Sequence, residues 1–128
     1  MIFLLQELDR AIELYERSLS IRLSKLGANH SLTAISYNNL GQAYLAKGDY
    51  VKALEYHQKS LNIKLATVGV NHVSTANSYS NIGGVYTRQG NRALAQENLQ
   101  KAIDIFTAVL GPSHTSTQGA IVMLQKCK

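Results

Sequence analysis

Between Asp49 and Gly69 the residues Tyr50, Ala53, Leu54, His57, Leu61, Leu65 and Val68 recur every three or four positions. That spacing puts them on one stripe of an α-helix. Leu8, Ala11, Ile12, Tyr15, Leu19, Leu23 and Leu26 form the same stripe earlier in the chain. In the segment "TAISYNNLGQAYLAKG", Ala34, Tyr37, Leu40, Gly41 and Tyr44 share a second helical face. Glycines 27, 48, 69, 90 and 111 stand just past these segments, where a left-handed residue ends a helix. Pro112 reinforces the stop after Gly111. The pattern predicts six helices, over about 4–26, 32–47, 49–68, 74–89, 91–110 and 115–127.

The helices come in a repeated unit. Gly27, Gly69 and Gly111 are 42 residues apart, and so are Ala11, Ala53 and Ala95; His30, His72 and His114; and Thr33, Thr75 and Thr117. No insertion interrupts the register. Neither helix of a pair buries its stripe alone, so the pairs must stack. The expected fold is all-α, an antiparallel helix-pair solenoid, with residues 1–128 as a single array.

Tyr37, Leu40, Gly41, Tyr44, Gly48, Tyr50, Ala53 and Leu61, with small Ser60 nearby, resemble the tetratricopeptide repeat (TPR) signature. The 42-residue period, with "LG-x-N-H-x-x-T-A-x-S-Y-x-N" leading the first helix, resembles the kinesin light chain type of that repeat. The resemblance implies a TPR superhelix. It would hold the second helix of a preceding repeat (about 4–26), full repeats at 31–68 and 73–110, and a closing helix at 115–127. The family's His-Pro-Asp is His30-Ser31-Leu32, His72-Val73-Ser74 and His114-Thr115-Ser116 here. The heptad region that joins a light chain to its motor is absent from these residues.

Composition narrows the class. A hydrophobic fraction of 45% with 16% charged residues suits a globular chain. The single cysteine, Cys127, makes no internal disulfide, which points to an intracellular protein. "MIFLLQELDR" has no basic segment ahead of its apolar run, so it does not read as a secretory signal. No run reaches the roughly 18 apolar residues of a membrane span. The expected location is the cytoplasm.

The three repeated histidines fail as a metal site. Ligands one repeat apart are separated by about the 8–10 Å of packed helices, whereas zinc nitrogens lie about 2.0–2.1 Å from the ion. Each histidine is expected to end a loop, with Ser31, Ser74 and Ser116 or Thr115 as the N-caps. His57 is expected to be a partly buried packing residue. Cys127 has no identifiable base and no glycine loop cradles phosphate, so neither an enzyme nor a cofactor is expected.

The amides are the stronger candidates. In the TPR array that the resemblance implies, first helices line the concave face. That face would carry Asn38, Asn39 and Gln42, then Asn77, Ser80, Asn81 and Arg88, then Lys126. Asn39 and Asn81 match the asparagine with which TPR grooves hydrogen-bond a peptide backbone, a task suited to a group that both donates and accepts. The alternative is that they solvate the helix or bond a neighbour. All eight acids lie in second-helix segments, while Lys47, Arg88, Lys126 and Lys128 lie outside them. A polar, positive groove favours an acidic protein or peptide ligand.

A second function class remains open: an assembly segment that stacks on further repeats or on another copy, through the "MIFLL" end or through Ile121, Val122 and Leu124. Nucleic acid is not an expected partner, because the thirteen basic residues form no aromatic-interleaved stripe. No membrane partner is expected either.

Overall fold

The computed structural model describes the chain from Ile2 to Lys128, with side chains from Leu4 onward. The elements are α1 (Ile2–Leu26), α2 (Ser31–Lys47), α3 (Tyr50–Thr67), α4 (Val73–Gln89), α5 (Arg92–Leu110) and α6 (Thr115–Lys126). No strand occurs among the described residues, and the fold is the expected all-α one. The first helix starts two residues earlier than expected and, as expected, runs through Gln6, the position held by Gly48 and Gly90 in the register. Met1 and the side chains of Ile2 and Phe3, part of the "MIFLL" end expected to seek a neighbour, lie outside the described residues.

The helix ends show why the glycines recur. Gly48 and Gly90 both adopt φ 83°, ψ 12°, and their N–H groups donate to carbonyls of the preceding turn. Few L side chains tolerate that conformation.

The N-caps differ from expectation. Ser31 already lies inside α2, and the capping atom is the histidine ring. The Leu32, Ser74 and Ser116 N–H groups donate to Nδ1 of His30, His72 and His114 at 3.0, 3.0 and 3.1 Å. Nδ1 stands as many bonds from Cα as the Oδ1 of asparagine, so a neutral imidazole protonated at Nε2 can cap in the same way. The repeated threonines then close the loops from inside. Oγ1 of Thr33, Thr75 and Thr117 donates to the carbonyls of Gly27, Gly69 and Gly111 at 2.9, 2.7 and 2.8 Å. All three threonines are fully buried.

The chain forms two compact units, Met1–Ile63 and Lys64–Lys128. In the first, Gly41 of α2 lies directly on the ring of His57 in α3; a Cβ there would come within 2.7 Å of the imidazole. His57 is therefore fully buried, more so than expected. The Tyr56 ring stacks with Tyr37 and Tyr44 at centroid distances of 6.1 and 5.6 Å. Ser60 Oγ donates to the Ala34 carbonyl at 2.9 Å.

In the second unit Gly83 meets Leu99 as closely, with 2.8 Å from a built Cβ to Cγ. Two apolar clusters fill this unit. Ala76, Ala102, Ile103, Ile105, Phe106 and Ala120 form one. Ala95, Leu99 and Cys127 form the other.

One repeated slot is filled in three ways. Arg22 Nη1 donates to Ser36 Oγ at 2.9 Å and to the Leu32 carbonyl. Lys64 Nζ donates to Ser78 Oγ at 2.8 Å. At the third occurrence Phe106 and Ala120 share the apolar cluster instead.

Burial pushes the Lys64 ammonium below the ordinary lysine value of 10.5. A depressed lysine pKa means that the unfolded chain binds more protons between the two values, so this group's contribution rises with pH. Lys64→Met is expected to stabilise the chain near neutrality, with the advantage shrinking as pH climbs towards 10.5. Denaturant midpoints of both proteins across that range check it. An advantage independent of pH would show that the buried charge is not its source. The comparison must be made as a difference, because the raised values of Tyr44 and Tyr56 make their own contributions fall in alkali.

Candidate peptide-binding surfaces

Each unit presents part of the expected set. In the first, Asn38 and Asn39 are half-buried on α2 and Gln42 is exposed. Asn39 and Gln42 meet in one depression of about 240 Å³, walled by Ala43 and Ala46 of α2 and by Leu8, Ala11 and Tyr15 of α1. The structure thus brings two of the three amides together beside an aromatic ring that the groove argument had not included. Asn38 does not line that depression.

In the second unit Asn77 and Arg88 are exposed on α4, and Ser80 and Asn81 are half-buried. Ser80 Oγ lies 3.9 Å from Met123 Sδ of α6, and a Cβ on Gly84 would touch Met123 Cε at 3.8 Å. Ser80 is thus turned towards a neighbouring helix. Lys126 is exposed in the last turn of α6.

The positive character is less uniform than the sequence suggests. Lys47 Nζ is 2.7 Å from Asp9 Oδ1 of α1, and that hydrogen bond raises its pKa. Its charge is compensated within the unit. The Tyr44 hydroxyl donates to Glu16 Oε1 at 3.3 Å, and burial together with that carboxylate raises the phenol's pKa.

Two further depressions were not anticipated, although the register pairs them residue for residue. One, of about 230 Å³, is lined by Ala28, Asn29, Tyr37, Lys59, Asn62 and Ile63. The other, of about 350 Å³, is lined by Val70, Asn71, Tyr79, Lys101, Asp104 and Ile105. Lys59 and Lys101 each place Nζ 5.5 Å from the centroid of the tyrosine in their own depression. Their six lining positions are each displaced by 42, which a search for repeated surface residues would have found.

No helix among the described residues is long and apolar enough to cross a membrane. No group of three or more His, Cys, Asp or Glu residues suited to a metal ion occurs among them either.

Comparison with known proteins gives a family. The tetratricopeptide repeat model matches residues 1–66 and 72–117. No curated protein matches. Among solved structures, BtubC (BKLC) from P. vanneervenii is similar with a TM-score of 0.88 at 20% identity, over 95% of this chain and 49% of that one. A Podosopora anserina protein described as a kinesin light chain with nearly identical TPR-like repeats gives a TM-score of 0.85 at 24% identity, over 95% of this chain and 58% of that one. The chain therefore spans about half the length of these relatives. Its fold is similar to that of these two repeat proteins, and by the family model it belongs to the tetratricopeptide repeat family.

Proposed function

We propose that the chain is a protein–protein interaction scaffold of the cytoplasm that binds an acidic, extended peptide segment along its first helices. It takes residues 1–128 as one repeat array. The observation that carries the proposal is the depression holding Asn39 and Gln42, two amides beside Tyr15 and aliphatic walls. Amides there bond a peptide backbone without selecting its side chains, and the ring supplies an apolar contact surface. Asn81 is the register partner of Asn39 on α4. The helices α2, α4 and α6 contain no acid, so Arg88 and Lys126 are left to select for carboxylates.

The test is titration with a library of acidic peptides. Asn39→Ala combined with Asn81→Ala is expected to weaken the bound peptides by at least about tenfold, equivalent to about 1.4 kcal/mol. Arg88→Ala with Lys126→Ala is expected to flatten the salt dependence of binding. Affinities unchanged in the asparagine double variant would remove these residues from any binding role.

A further inference from the structure

Tyr37 and Asn39 are two residues apart, about 200° around a helix, so their depressions lie on opposite sides of α2. The one with Asn39 and Gln42 is walled by α1, and the one with Tyr37 by α3. The Tyr37 depression has a register counterpart around Tyr79, between α4 and α5. Each of this pair is built from one loop and the two helices that follow it.

The two share most of their chemistry. Ile63 and Ile105 supply buried aliphatic surface, Tyr37 and Tyr79 a ring, and Lys59 and Lys101 an ammonium. No carboxylate among the described residues pairs with either ammonium. Lys59 is the more firmly placed. Its Nζ lies 5.5 Å from the Tyr37 centroid and 5.7 Å from that of Tyr56, and those two rings stack on each other. Lys101 lies over Tyr79, and Asn98 stands at the position of Tyr56.

One atom differs in kind. Gln58 Nε2 donates to Asn62 Oδ1 at 3.1 Å, and Gln100 Nε2 donates to Asp104 Oδ1 at 2.9 Å. The same bond in the same register engages Oδ1 in both units. What remains is Nδ2, a donor, at Asn62, and Oδ2, a charged acceptor, at Asp104. Lys59 and Asn62 are three residues apart on α3, so they are neighbours on one face.

We propose that the Tyr37 depression binds the side-chain carboxylate of a glutamate in a protein ligand, and that the Tyr79 depression refuses it because of Asp104. Lys59 Nζ and Asn62 Nδ2 donate to the carboxylate, a charge-assisted pairing. The glutamate methylenes lie along Ala28, Tyr37 and Ile63, where burial of apolar surface favours them. A chain-terminal carboxylate has no such stem to cover that wall. Two rings hold Lys59 before the ligand arrives, so less side-chain freedom is lost on binding. At the second depression Asp104 repels a carboxylate, and like charges brought together suppress the wrong ligand. The proposal is independent of the groove reading, because Asn39 and Asn81 line neither depression.

The experiment uses the full chain and three pentapeptides. They are acetyl-Gly-Gly-Glu-Gly-Gly-amide, its glutamine twin, and that twin with a free carboxy terminus. Two-dimensional amide NMR spectra at neutral pH follow each titration. The glutamate peptide is expected to shift the Asn62 side-chain amide and the Ala28 and Asn29 backbone signals saturably, leaving Val70 and Asn71 in place. The other two peptides are expected to bind at least about tenfold more weakly. Asn62→Asp and Lys59→Met are each expected to weaken the glutamate peptide by at least about tenfold. Asp104→Asn is expected to bring saturable shifts to Val70 and Asn71. All three substituted residues are exposed, so the fold is kept. No saturable shift at Asn62, equal affinity for the glutamate and glutamine peptides, or unchanged affinity in Asn62→Asp overturns the proposal. So does a free terminus that binds as well as glutamate, or no gain from Asp104→Asn. Asn39→Ala with Asn81→Ala is expected to leave the Asn62 shifts unchanged. Shifts confined to Asn39 and Gln42 would overturn this site and support the groove, so the two readings fail separately.

Discussion

Gly83→Ala is expected to destabilise the chain by about 2 kcal/mol, although alanine is the better helix former by about 1 kcal/mol. The added methyl would stand 2.8 Å from Cγ of Leu99 and 3.4 Å from the Ala95 carbonyl. Cγ is the branch point of a fully buried side chain rather than a flexible tip, so α4 and α5 must separate. Overpacking of this kind costs about 1–3 kcal/mol, which outweighs the propensity gain. Leu99→Ala alone is expected to cost about 3 kcal/mol through the cavity it leaves. The double variant places the new methyl at the edge of that cavity. Its cost should fall short of the sum of the two single changes by at least about 1 kcal/mol. Urea denaturation of the four proteins measures the cycle. Strict additivity would mean that the glycine is not there to admit Leu99.

Thr75→Val is expected to cost about 2 kcal/mol. Valine matches the shape of threonine, so packing is kept and only the hydroxyl is lost. That hydroxyl donates to the Gly69 carbonyl at 2.7 Å from a fully buried side chain. Its removal takes the only fully buried partner from a bond whose acceptor, on Gly69, is half-buried, and an unmade hydrogen bond of this kind costs about 1–3 kcal/mol. Thr75→Ser keeps the donor and should recover most of the loss. The exposed cap at His72 is worth less, about 1 kcal/mol, because water replaces it on removal. Thermal denaturation of Thr75→Val, Thr75→Ser and His72→Ala ranks the three. If valine proves as stable as threonine, the loop is held by the glycine and the cap alone.

These two contacts also show what was legible in the residues. The glycines at 41 and 83 were readable as small packing positions, because they fall on the apolar face of a helical stripe. The side chains that rest on them were not, since His57 and Leu99 are unlike in chemistry and share only a register position. The threonines were visible as a repeat but not as donors to a glycine carbonyl six residues back. Serine is the usual N-cap and stands one or two residues after the histidine each time, so the residues alone point to it; the loop geometry brings Nδ1 to the N–H instead. Asn38, Asn39 and Gln42 lie on α2, and Asn77 and Asn81 on α4. That Asn39 and Gln42 share a depression with Tyr15, and that Ser80 turns to Met123 43 residues further on, depended on contacts between helices.

By itself the sequence determined the six helices, their stops and the 42-residue unit. Helical spacing and a left-handed glycine are properties of consecutive residues, and the family follows from their repetition. Only the tertiary structure decided which side chains are covered. Ile21, Ile63 and Ile105 are one residue type in one register position. Two of them are buried and one is exposed, because burial belongs to the helix that covers a residue and not to the residue. In the same way Lys47 reads as a free cation along the chain, and its charge is compensated only by Asp9 of another helix, 2.7 Å away.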